Sequence, residues 1–97
     1  MYSLLYVAAG QSVELLCNTS VTADVMWTCD TGDGYVDYVY WNDHIDNDRP
    51  QLSVKSTRVG YHSLVIGHAR LKDSGLYDCY DGKRLRKVGY QVVIAGM

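Results

Sequence analysis

Apolar residues recur at every second position in short runs along this chain, the period of strands half buried in a core. Val13, Leu15 and Cys17 share one face of residues 12–18. Val25, Trp27 and Cys29 share one face of 24–29, which turns Met26 and Thr28 the other way. Leu64 and Ile66 repeat within 61–67, and Val92 and Ile94 within 87–95. Residues 2–9, 35–41 and 51–56 read as further strands, and another, which holds Tyr77, Cys79 and Tyr80, follows the turn at Asp73-Ser74-Gly75; 35–41 is rich in the aromatic and β-branched residues that strands favour. Turn residues separate the runs: Gly10-Gln11, the polar stretch 19–24, Asp30-Thr31-Gly32-Asp33-Gly34, Gly60, and Asp73-Ser74-Gly75. The acidic stretch 42–48 leaves room for one short strand, and 68–72 reads as a crossing between sheets. The pattern predicts an all-β Greek-key sandwich of two antiparallel sheets.

With 97 residues the chain has length for a single domain, 1–97, and one modest core. A net charge of −2 argues against a general nucleic-acid binder. No run of about 18 apolar residues exists, so attachment to a membrane would use segments outside this chain. Residues 2–9 have no basic lead of the secretory kind, and the expectation is an excised mature domain.

Two motifs sharpen the picture. Gly10-Gln11-Ser12-Val13-Glu14-Leu15-Leu16-Cys17 is followed by Trp27 ten residues after the cysteine, and Asp73-Ser74-Gly75-Leu76-Tyr77-Asp78-Cys79 stands near the end. A cysteine, a tryptophan, and a tyrosine two residues before a second cysteine resemble the immunoglobulin superfamily. The 51 residues between Trp27 and Cys79 leave room for the extra C′ and C″ strands of a variable-type domain. The resemblance spans nearly the whole chain. It implies a disulfide from Cys17 on strand B to Cys79 on strand F, with Trp27 packed on it. It also implies a Tyr77 corner bonded upstream and a salt bridge between Arg49 and Asp73. The Cys17–Cys79 disulfide would contribute about 4 kcal/mol through loop-closure entropy. Strand G resembles a joining segment in its tail, Val88-Gly89-Tyr90-Gln91-Val92-Val93-Ile94. It keeps one glycine of the Phe-Gly-x-Gly bulge and has Gln91 at the second position. The chain is therefore similar to non-rearranging receptor and adhesion domains, including the variable-plus-joining-like domains of invertebrate chordates.

The cysteine pair that the resemblance implies points to an oxidising compartment, so the expected location is outside the cell, at a surface or secreted. Asn18-Thr19-Ser20 is a glycosylation sequon that only such a route would use. Cys29, by alternation, faces the core as a free thiol acting as a small hydrophobe. An alternate bridge to Cys17 or Cys79 would break the family geometry, and an intermolecular one needs exposure. A catalytic role needs a base and a positive setting, whereas Asp30 adjoins it.

Six aspartates lie between Asp30 and Asp48, but their spacing fits no EF-hand loop, and turn and edge roles account for them. His44, His62 and His68 do not cluster with cysteines at zinc spacing. No nucleophile motif appears. No cofactor, metal or enzymatic activity is expected.

What remains is a recognition surface. Lys83, Arg84, Arg86 and Lys87 gather on the loop between strands F and G, opposite the aspartates of C′ and C″. In a two-fold dimer a basic loop can meet its partner's acidic edge. Tyr38 and Tyr40 alternate with Val39 and Trp41, so one of these pairs faces outward; Tyr80 points outward beside Cys79. Exposed Tyr and Trp are typical of contact centres. The expected surface is the G-F-C-C′ sheet, with Met26, Thr28, Tyr38, Tyr40, Trp41, Asp78, Tyr80 and the four basic residues. The expected partner is a protein, with a second copy as the leading candidate. An acidic or microbial glycan on the basic loop is one alternative, and a spacer role in a longer ectodomain is another.

Overall fold

The computed structural model describes residues 1–18, 25–32, 34–41, 44–58 and 61–96, with backbone alone at 56–58 and 61. The predicted loop 19–24, the turn at Gly60, Asp33 and Asp43, and the Thr19 and Ser20 of the sequon lie outside the described residues.

Among the described residues nine strands form: β1 (Ser3–Ala8), β2 (Val13–Leu15), β3 (Met26–Asp30), β4 (Asp37–Trp41), β5 (His44–Ile45), β6 (Leu52–Arg58), β7 (Tyr61–Ile66), β8 (Gly75–Tyr80) and β9 (Arg86–Ala95). They make a six-stranded sheet in the order β1-β9-β8-β3-β4-β5 and a three-stranded sheet, β2-β7-β6. Only β1 with β9 is parallel among these pairings. This is the two-sheet variable-type sandwich that the resemblance implies, with β5 as the short extra strand. The predicted second strand, 12–18, narrows to three residues, and a 3-10 turn, Leu71–Asp73, occupies part of the predicted crossing. Gly32 and Gly34 take the positive φ that the turn after β3 needs, 99° and 84°.

Alternation buries the residues it should. Leu15, Leu52, Leu64 and Ile66 of the small sheet meet Trp27, Cys29, Val39, Tyr77, Val92 and Ile94 of the large one. Each aliphatic side chain fully buried this way contributes roughly 1.5–3 kcal/mol. Cys17 and Cys79 form the inter-sheet disulfide. Trp27 lies wholly buried and stacks on Tyr90 at 6.4 Å between ring centroids. The Tyr77 hydroxyl donates to the Asp73 carbonyl oxygen at 2.5 Å, closing the corner before β8. Cys29 is buried and free, as alternation requires.

The salt bridge between Arg49 and Asp73 does not form. Arg49 Nη2 donates to Asp37 Oδ2 at 2.6 Å, and Nη1 donates to Asp46 Oδ2 at 2.5 Å. Asp73 instead accepts from Gln51 Nε2 at 2.8 Å and from the Arg70 backbone N–H at 2.9 Å. The cause is local: two carboxylates flank the guanidinium on the β4–β6 side, and the first turn of the 3-10 segment claims Asp73. These partners raise the Arg49 pKa against the opposing effect of burial.

Candidate functional site

The outer face of the six-stranded sheet is shaped by an irregularity in β4. Trp27 pairs with Tyr40 and Thr28 pairs with Tyr38, so Val39 is an extra residue on β4. Such a bulge breaks the period of two. Val39 is buried and Tyr40 packs against the core, while Tyr38 and Trp41 both emerge on the outer face, 57% and 45% exposed. Their rings meet edge to face at 6.3 Å. The expected outward pairs, Tyr38 with Tyr40 or Val39 with Trp41, are corrected to Tyr38 with Trp41. No alternation pattern could have found this, because a bulge leaves no mark in composition.

Beside that aromatic corner lies a hollow of about 260 Å³ lined by Met26, Tyr38, Trp41 and Arg84. Met26 reaches it from β3, in register with Tyr80 on β8, which is half-buried. Arg84 reaches it from the β8–β9 turn, where its own φ is +63°. Asp81 builds that turn. One oxygen of its carboxylate, Oδ1, accepts from the backbone N–H of Lys83 and of Leu85, each at 2.9 Å, while its backbone N–H donates to the Leu85 carbonyl. The Leu85 and Lys83 N–H groups hold the Asp81 carboxyl below its ordinary pKa.

The basic cluster is partly neutralised from within. Arg86 Nε donates to Asp78 Oδ1 at 2.6 Å, and Lys87 Nζ lies 3.5 Å from Asp81 Oδ2. Lys83 and Arg84 are exposed beside them. Gly89 explains how Arg86 reaches Asp78: a Cβ at position 89 would collide with the Arg86 guanidinium and the Asp78 carboxylate. The strand irregularity near it falls where Tyr80 pairs with Arg86 and Cys79 with Val88, leaving Lys87 as the extra residue. The bulge of β9 therefore sits at Lys87, and Gly89 serves to admit a side chain.

Thr28 and Asp78 are not contact residues of an open face, since both are buried, at 3% and 8% exposure. Thr28 is flanked in register by Tyr38 and Asp78. Asp78 lies under Arg86 and Tyr2. The Tyr2 hydroxyl donates to Asp78 Oδ2 at 3.0 Å, its ring lies 4.5 Å beneath the Arg86 guanidinium carbon, and Arg86 Nη2 donates to the Met1 carbonyl at 2.7 Å. Sequence reasoning missed this covering by Met1 and Tyr2, which joins residues 76 positions apart.

On the far side of the aromatic corner, Tyr38 and Trp41 also border an open groove of about 820 Å³ with His44, Asp46, Asn47 and Asp48. Asp48 is exposed at that rim, and its backbone N–H donates to Asp46 Oδ1. The face thus runs from Lys83 and Arg84, across Met26, Tyr38 and Trp41, to Asp48. Among the described residues no group of three His, Cys, Asp or Glu is placed to hold a metal ion. Asn18 is exposed at the end of the segment after β2.

No protein-family model matches the sequence, and no curated protein matches it significantly. Solved structures do resemble the fold. A chicken T-cell receptor superposes with a TM-score of 0.84 at 16% identity, over 97% of this chain and 48% of that one. The ZIG-8 IG1 homodimer matches with a TM-score of 0.82 at 18% identity, over 99% and 81%. The ZIG-8–RIG-5 IG1–IG1 heterodimer matches with 0.79 at 19%, over 98% and 83%. At these identities the likeness is one of fold: an immunoglobulin-like, variable-type sandwich, with no particular subgroup singled out.

Proposed function

We propose that this domain is an extracellular recognition module of an immune-type or adhesion receptor, which binds a protein through the outer face of its six-stranded sheet. A second copy of the chain is the partner that the charge layout fits best. The observation that carries the reading is the exposed Tyr38–Trp41 corner, with Met26 and Arg84 completing a hollow beside it. Rigid aromatic anchors next to a small pocket are where binding energy concentrates. Cations at one end and Asp48 at the other make the face complementary to itself under a two-fold axis. Similar folds occur as an IG1 homodimer and an IG1–IG1 heterodimer, which is consistent with a protein partner. The buried disulfide fits an oxidising, extracellular setting. The module does no chemistry; its output is affinity and geometry.

The glycan reading now rests on Lys83 and Arg84, because Arg86 and Lys87 have internal carboxylate partners. A spacer role predicts a monomer indifferent to this face. Sedimentation velocity across a concentration series tests the proposal. Trp41→Ala should weaken self-association by about 30-fold, as a loss of about 2 kcal/mol at a contact centre implies. Association unchanged in both Trp41→Ala and Tyr38→Ala would remove the face from consideration.

A further inference from the structure

The free edge of β1 is the feature that the recognition face does not absorb. β1 ends the six-stranded sheet, with β9 on one side and, among the described residues, no strand on the other. Alternate residues of such a strand turn their N–H and C=O groups outward, a template for a further strand.

The other three edges are guarded. β5 has two residues and adjoins Asp46. β2 has three residues and carries exposed Glu14. β6 carries exposed Lys55. By contrast β1 has six residues, and from Tyr2 to Ala9 there is neither a charge nor a proline. Leu5 and Val7 turn toward the core, which leaves Leu4 and Tyr6 in one outward row, 49% and 74% exposed.

We infer that the free edge of β1 pairs antiparallel with β1 of a second copy, joining two six-stranded sheets into one. Charge favours a second copy over a foreign strand. An uncharged strand offers a foreign partner no ionic selectivity, whereas against itself it places no like charges opposite each other. Symmetry and the cover of exposed apolar side chains together set the register. A two-fold axis normal to the sheet keeps both outer faces on one side, so each residue meets one of the same facing. Centred on Leu5, this pairing sets Leu4 against Tyr6 of the second copy on both sides of the axis. The two exposed apolar side chains of β1 then cover each other.

This contact is separate from the Tyr38–Trp41 face and does not depend on it. Two different two-fold contacts on one chain build assemblies larger than a dimer, closed or open according to how the axes lie. That makes the two separable by experiment. Trp41→Ala should stop at a dimer in sedimentation velocity, and Trp41→Ala combined with Tyr6→Lys should be a monomer with an unchanged far-ultraviolet dichroism spectrum. A monomeric Trp41→Ala protein overturns the edge pairing, as does a double variant that associates as tightly as Trp41→Ala alone. Tyr6→Lys alone reports on the face: a monomeric Tyr6→Lys variant means that the face reading fails while the edge stands. Amide hydrogen exchange gives a local readout. In the Trp41→Ala protein, alternate amides of β1 should slow by about tenfold between dilute and concentrated samples. Exchange in β1 that is independent of concentration overturns the inference.

Discussion

Cys29 shows what one buried residue contributes to the behaviour of the domain. Burial pushes its thiol up from 9.0 to about 11; nearby Asp37, Asp46 and Asp30 add to this, and Arg49 opposes it. In the unfolded chain the same thiol ionises at its ordinary value. As pH rises from 9.0 toward about 11, the unfolded state releases a proton that the folded state retains, so stability falls over that window. Between about pH 8 and about pH 10.5 the loss from this group is about 2 kcal/mol. Burial also raises the pKa of Tyr77, which acts in the same direction, so the share of Cys29 must be isolated. Urea denaturation of the wild type and of Cys29→Ala across that range does so: the wild type should lose more stability than the variant. Parallel curves would show that Cys29 titrates alike in both states. At neutral pH the folded protein should resist thiol reagents and react only as it unfolds.

At the scale of elements, the β8–β9 turn depends on one carboxylate. Asp81 holds the Lys83 and Leu85 N–H groups and faces Lys87. Its lowered pKa means that this contribution is present above the unfolded carboxylate value and is lost as pH falls through the folded one. Asp81→Ala should therefore speed amide exchange at Lys83 and Leu85 at neutral pH, and the difference from wild type should narrow in acid. Equal exchange in both proteins at neutral pH would show that the turn stands without the carboxylate. The strands themselves were legible, since Val13-x-Leu15-x-Cys17 and Val25-x-Trp27-x-Cys29 carry their facing in the alternation. The β4 bulge was not, because Tyr38-Val39-Tyr40-Trp41 is compatible with either facing until Trp27 and Thr28 set the register. Nor was the partnering of Arg86 with Asp78, which needs the missing Cβ of Gly89. A joining-like tail made that glycine look like part of a strand bulge; only the neighbouring strand reveals its role.

For the whole molecule, the question is whether charge or apolar contact governs association. The net charge is −2, and two of the four cations near the candidate face are bound to carboxylates of the same chain. Those pairs form with or without a partner and cancel between free and bound states. What differs on binding is the covering of Met26, Tyr38 and Trp41, together with contacts of exposed Lys83 and Arg84 at the rim. Rim charges act mainly on the rate of encounter and are screened within about 8–10 Å at ordinary salt. Apolar burial is not weakened by that screening. Self-association should therefore persist from low to moderate ionic strength, with a modest loss traceable to slower encounter. Lys83→Ala and Arg84→Ala should reduce the salt dependence more than the affinity at moderate salt. Sedimentation equilibrium in the Tyr6→Lys background, where only the face can pair, measures both at several salt concentrations. Collapse of the dimer at moderate salt would transfer the binding energy from the aromatic corner to the charged turn, and would revive the acidic glycan as the ligand to test against Lys83 and Arg84.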